Sequence, residues 1–86
     1  MFTLNVVVKL FASYKEKAGT SEIRLELPEG ITVGEFAREV LARHPNIIKD
    51  PSRLVVAVND EFRDHDYILS DGDEAALIPP VSGGLE

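Results

Sequence analysis

The stretch from Pro79 to Gly84, PPVSGG, holds the residues whose types and order best fit a chemical task. Pro79 and Pro80 would keep a chain extended and stiff as it leaves a sheet. Val81 and Ser82 would continue as a short arm. Gly83 and Gly84 have no side chains, so a narrow channel could close around their backbone. A glycine carboxylate, with no Cβ beside it, is also easily reached by an activating enzyme. The opposing reading is a flexible linker, in which paired glycines are common. The setting decides between them: here the pair directly follows the proline-capped last strand of a small domain.

The other reactive side chains offer less. His44 falls at a helix C-terminus, where a cation meets the helix dipole favourably. His65 lies in Arg63-Asp64-His65-Asp66, and adjacent residues rarely converge on one metal ion, so a solvated loop is expected there. Asp71, Asp73 and Glu74 lack the ligand spacing of a calcium loop and the distant bidentate glutamate, and read as a tight turn. Gly30 and Gly34 make no phosphate-binding fingerprint. No serine has a histidine placed to activate it in a recognisable motif. No metal site is expected.

With 86 residues the chain has room for one domain, and its 44% apolar content suits a globular fold. It has no cysteine, which excludes a thiolate nucleophile or zinc site and fits a reducing cytoplasm. No apolar run approaches the ~20 residues of a membrane span, and no secretion signal opens the sequence, so a cytoplasmic protein is expected. A net charge of −6 argues against nucleic acid as a partner, since binding to phosphate backbones needs clustered Lys and Arg.

The elements that must position the tail follow from periodicity. Residues 3–11, TLNVVVKLF, alternate with Leu4, Val6, Val8 and Leu10 on one face and Val7 and Phe11 on the other. A helical turn fits 12–20. Residues 21–27 alternate again, with Ile23, Leu25 and Leu27 facing in. Thr32 and Glu35 form a capping box, with Ile31 and Phe36 as its hydrophobic staple. Val33, Phe36, Ala37, Val40 and Leu41 then make a helical stripe that Pro45 stops. A loop covers 46–53. The continuous run 54–58, LVVAV, reads as a strand covered on both sides or centrally placed. A turn at 59–61, a short edge strand around Tyr67 and Ile68, a turn at 71–73 and a last strand at 74–78 complete the order. The fold class is therefore α+β: a mixed four- to five-stranded sheet covered on one face by one main helix, the β-grasp arrangement.

At this point the sequence resembles a known family, the small subunits of molybdopterin synthase, which are ubiquitin-like sulfur carriers. The most specific stretch is Leu69 to Gly84, LSDGDEAALIPPVSGG; Leu10-Phe11-Ala12 and Ala57-Val58-Asn59 also match. The chain departs from the family with Lys15-Glu16 in place of the frequent Arg-Glu, and with Leu77 and Ile78 where aromatics are frequent. The resemblance covers essentially the whole chain through Gly84. It implies a domain over 1–80 and a flexible diglycine tail over 81–84. Residues 85–86 are then a cloning scar, or else an extension removed by a protease.

The resemblance further implies that Gly84 is the acyl site. A ubiquitin-activating-type adenylating enzyme would use ATP to convert the Gly84 carboxylate to an acyl-adenylate. Sulfur would then displace AMP to leave a thiocarboxylate. The tail, Pro80, Val81, Ser82 and Gly83, would enter the large subunit of molybdopterin synthase, in an expected heterotetramer, and pass sulfur to cyclic pyranopterin monophosphate. The carrier itself would bind no cofactor, and the catalytic groups would sit on the large subunit. Phe11 and Ile78, on neighbouring first and last strands, are expected to form an apolar partner-binding patch on the face away from the helix. The residues leave three rivals open: a carrier for thiamin synthesis, a protein modifier, and a ubiquitin-like module without covalent chemistry.

Overall fold

The alternation of branched apolar residues in TLNVVVKL makes β1, Thr3–Leu10, whose Leu4, Val6, Val8 and Leu10 are all buried. The computed structural model describes residues 2–79. Phe11 ends the strand and becomes the N-cap of α1, Ala12–Ala18, a longer element than the turn expected there. Its backbone stays extended (φ −128°, ψ 155°), so the alternation of faces still carries through it. Gly19, in the left-handed region at φ 77°, closes α1 with its N–H donating to the Lys15 carbonyl at 2.9 Å. Tyr14 is the buried residue of this helix.

β2, Glu22–Pro28, returns antiparallel to β1, with Val6 opposite Leu25 and Thr3 opposite Pro28. α2, Val33–Arg43, begins at the expected capping box: Thr32 Oγ1 accepts from the Glu35 N–H, and the Glu35 carboxylate accepts from the Thr32 N–H at 2.9 Å. Its Val33, Phe36, Ala37 and Val40 are buried against the sheet and contribute to a single core. The loop after α2 contains a 3₁₀ turn, Pro51–Arg53, started by Asp50, whose carboxylate accepts from the Ser52 N–H and hydroxyl.

β3, Val55–Val58, and β4, Glu61–Arg63, form a hairpin around Asn59-Asp60. Both turn residues have positive φ, 51° and 72°, as the favoured two-residue hairpin turn requires. The edge strand thus lies closer to β3 in sequence than the expected site around Tyr67 and Ile68. Those residues instead run beside the start of α2: Val33 N–H donates to the Tyr67 carbonyl at 2.8 Å and Thr32 bridges to Ile68. β5, Glu74–Ile78, inserts between β1 and β3, parallel to the first and antiparallel to the second. The sheet order is β2-β1-β5-β3-β4, a mixed five-stranded sheet. The expected β-grasp arrangement is therefore present, with α1 as a second, smaller helix.

Candidate functional site

The chain leaves the sheet from its central strand. Leu77 is fully buried and stands opposite Leu10 on one side and Val56 on the other, so the end of β5 is anchored in the core. Ile78, one residue on, points to the opposite face and pairs with Val55. Phe11 follows Leu10 just as Ile78 follows Leu77, so the two expected patch residues flank one another on the face away from α2. Phe11 is 49% exposed, whereas Ile78 is half-buried.

The face is larger than these two residues. Val55 is 48% exposed, so the LVVAV run is not covered on both sides; of the two expected placements it has the inner one, with β3 between β5 and β4. Phe62 is 72% exposed and stands opposite Ala57, itself opposite Ala76 in the next strand. Phe11, Ile78, Val55 and Phe62 thus line an apolar band crossing β1, β5, β3 and β4. Phe62 is not among the patch residues expected from the sequence, although an aromatic alternating with Glu61 and Arg63 is a usable signal.

Where β5 ends, a cavity of about 320 Å³ opens beside Ile78 and Pro79. Tyr14, Ile48, Val55, Ile78 and Pro79 supply its apolar wall, and Lys49, Asp50 and Arg53 its charged rim. Burial pushes the Tyr14 hydroxyl above its ordinary pKa, so it stays protonated at neutral pH. Hydrogen bonds from Ser52, with a smaller contribution from Arg53, hold the Asp50 carboxyl below its usual range.

The other candidates prove structural. His44 is the C-cap of α2, its N–H donating to the Val40 carbonyl. His65 is half-buried rather than solvated: its Nε2 lies 2.7 Å from the Leu54 carbonyl, and its own carbonyl accepts from the Gly34 N–H at 2.9 Å. Asp64 and Asp66 are exposed. The Asp71-Gly72-Asp73 segment is a turn stitched to β1. Asp71 accepts from the Asn5 N–H at 2.7 Å, and Gly72, at φ 86°, donates to the Asn5 carbonyl at 2.8 Å. Asp73 is buried, accepting from the Asn59 side-chain amide at 3.0 Å and the Ser70 N–H at 2.8 Å. Among the described residues no group of three or more His, Asp or Glu is placed to hold a metal ion. No helix among them is long and apolar enough to cross a membrane. The tail residues Pro80, Val81, Ser82, Gly83 and Gly84, and the pair Leu85-Glu86, lie outside the described residues.

A model of the ThiS family matches residues 8–84, from the middle of β1 through the diglycine. The chain belongs to the ThiS family. Among curated relatives, the molybdopterin synthase sulfur carrier subunit of Arabidopsis thaliana is 33% identical over 82 residues, covering 95% of this chain and 85% of that protein. The corresponding subunit of Chlamydomonas reinhardtii is 37% identical over 83 residues, covering 94% and 100%. Among solved structures, SAMP1 of Haloferax volcanii superposes with a TM-score of 0.82 at 32% identity, covering 93% of this chain and 99% of that one. Subunit 1 or 2 in the protein–protein complex of the molybdopterin-converting factor of Helicobacter pylori gives 0.65 at 26% identity, covering 94% and 100%. The ubiquitin of Caldiarchaeum subterraneum, at 0.69 and 19% identity with 96% and 100% covered, shares the ubiquitin-like fold.

Proposed function

We propose that this ThiS-family chain is the sulfur carrier subunit of a molybdopterin synthase, with Gly84 as the carboxyl that carries sulfur. The observation that supports it most is the junction at the end of β5. There a buried Leu77 anchors the strand, an exposed apolar band flanks the strand's end, and PPVSGG comes next in the sequence. Relatives bearing that name, matched over 85% and 100% of their own length, support the same reading.

The chemistry is that of a carboxylate made into an acyl donor. Attack of the Gly84 carboxylate on the α-phosphorus of ATP releases pyrophosphate and leaves an acyl-adenylate. A sulfur nucleophile supplied by the activating system adds at the acyl carbon, and AMP departs with the bonding pair, leaving a thiocarboxylate. In the large subunit that sulfur is transferred to cyclic pyranopterin monophosphate, and water restores the Gly84 carboxylate. Two loaded carriers serve each dithiolene, because it holds two sulfurs. The absence of cysteine suits this scheme, since the sulfur rides on the carboxyl. The apolar band, with Phe11 and Ile78 at its β1–β5 end, is the surface by which the carrier seats on the large subunit and on the adenylating enzyme. A complex of two molybdopterin-converting-factor subunits among the structural relatives supports such a partner.

The test is ATP–pyrophosphate exchange catalysed by the adenylating enzyme. A form ending at Gly84 should exchange, and the 86-residue form should not, because Leu85 and Glu86 move the free carboxylate off the glycine. Equal exchange by both forms would place the acyl site elsewhere. The likeness to SAMP1, a small archaeal modifier protein, favours a second reading in which the same activated carboxyl is passed to a lysine amine. Covalent adducts on other proteins after activation in cell extract, found by mass spectrometry as glycine remnants on lysine, would support it.

A further inference from the structure

The charges on this acidic chain are not spread evenly. Register fixes the two ends of the sheet: Ile78, Leu10 and Val55 lie at the end where the tail leaves, and Thr3, Pro28, Val58 and Glu61 at the other. At the far end stand Glu26, Glu29, Asp60, Glu61 and Asp71, on the strand ends and turns, while Glu74 lies nearer the middle of the sheet, opposite Val7. Every lysine of the chain lies toward the exit end. Lys9 is two rungs from Phe11 and is held by Glu22 at 2.9 Å and Glu74 at 3.6 Å, so its charge is spent locally. Lys15 and Lys17 are exposed on α1, and Lys49 and Arg53 rim the cavity that Ile78 and Pro79 also line. Among the described residues none of these four makes a salt bridge within the chain. Glu16 and Asp50 are the carboxylates interleaved with them in sequence, so among the described residues this group of four cations and two carboxylates is net positive, in a chain of net charge −6.

On this basis we infer that the tail-exit end, centred on Lys49 and Arg53, is a basic collar that seats on acidic side chains ringing the mouth of the tail-accepting channel in the partner protein. The inference rests on the proposed function for the identity of that channel and adds the chemistry of its rim. A molecule with its positive pole at the end of β5 would meet such a mouth with that end first, because the field turns it before contact. The apolar band would then supply the lasting contact.

Two measurements test this. The first needs no partner: amide shifts of the full chain are followed by NMR as a hexaglutamate peptide is added. Shifts concentrated at Tyr14, Lys49, Arg53 and Ile78 are expected, and shifts spread evenly or confined to other surfaces would overturn the collar. The second follows association with the large subunit by stopped flow. The paired change Lys49→Glu with Arg53→Glu should slow association about tenfold at low ionic strength, with the gap closing at high salt. The neutral pair Lys49→Gln with Arg53→Gln should lie between, and Glu26→Lys with Glu29→Lys at the far end should not slow it. An association rate unchanged by the charge reversal, in variants that melt like the parent, would overturn the inference. Failure of the unaltered chain to bind the large subunit would count against the proposed function instead, and the peptide titration would still decide on the collar.

Discussion

Val55 and Ile78 face each other in the β3–β5 ladder, one rung beyond the buried pair Val56 and Leu77. The strand that delivers the tail is therefore clamped to its last residue, on the core side by Leu77 and on the open side by a neighbour that is itself half exposed. Ile78 serves two ends at once: it closes the sheet against the exit cavity and contributes to the apolar band.

That dual position separates two substitutions. Phe11→Asp should leave the melting temperature within a few degrees of the parent, since about half of the ring is already in water. It should weaken binding to the large subunit by roughly 1.5–3 kcal/mol, the worth of burying one large apolar side chain. Ile78→Asp should weaken binding and also lower the melting temperature, because part of its side chain is packed. Thermal melts with calorimetric titration of each variant would check this. Loss of fold by Phe11→Asp would move that residue from the interface to the core.

Phe62→Asp supplies the companion prediction. With 72% of its surface exposed on the edge strand β4, Phe62 carries little folding energy. Its replacement should leave stability unchanged and reduce affinity for the large subunit by an amount comparable to Phe11→Asp. Unaltered affinity would confine the docking surface to the β1 and β5 side of the sheet.

The buried carboxylate of Asp73 is a structural pin. It takes hydrogen bonds from Asn59 at 3.0 Å and Ser70 at 2.8 Å, tying the turn before β5 to the turn after β3. Asp73→Ala leaves both donors without that partner and should cost about 1–3 kcal/mol. Chemical denaturation would measure it, and a loss below half a kilocalorie would mean that water replaces the carboxylate freely.

Most of this fold could be read from the chain because its local signals agree with one another. The capping box at Thr32 and Glu35 fixes where α2 starts, and period-two alternation fixes the inward faces of β1 and β2. The short edge strand was misplaced because both Phe62 and the Tyr67-Ile68 pair offer apolar residues in a charged stretch. The choice is made by Asn59 and Asp60, whose positive φ turns the chain at once and pairs Glu61 with Val58. Tyr67 and Ile68 are then needed at the start of α2. At the site, Phe11 was legible from its motif. Val55 was not, since exposure of one residue in an unbroken apolar run depends on sheet order, a long-range property. Lys49 and Arg53 carry no pattern in sequence at all, and only the fold brings them beside Pro79.

Lys9 and Glu22 give a pH-dependent stability term whose sign follows from their shifts. Hydrogen bonding and charge attraction to Glu22 raise the Lys9 pKa, and the bond to Lys9, helped by Arg24, lowers that of Glu22. The depressed carboxyl contributes stability above its unfolded value near 4.5, lost as pH falls through its folded value. The raised amine contributes below 10.5, lost as pH climbs through its folded value. The difference in melting temperature between the parent and Lys9→Met should therefore be largest in the neutral range and shrink towards both extremes. A difference that persists unchanged at pH 3 would assign the effect to packing of the lysine stem.

Gly83 is the more revealing of the two glycines, since in the proposed chemistry it carries no reacting atom. A channel that excludes water from a thiocarboxylate has little room for a Cβ, and can demand backbone angles that only glycine adopts freely. Gly83→Val should leave the thermal stability of the domain unchanged, because among the described residues the core and the ladders that hold β5 already extend to Leu77 and Ile78 without the tail. It should sharply reduce molybdopterin formed from pre-made thiocarboxylate and the large subunit. Loading the sulfur beforehand bypasses adenylation, so the loss would report on the large-subunit channel alone. Normal product formation by the loaded variant would mean that this channel does not read the glycine by shape, and would leave the adenylating enzyme as the place where the diglycine is required.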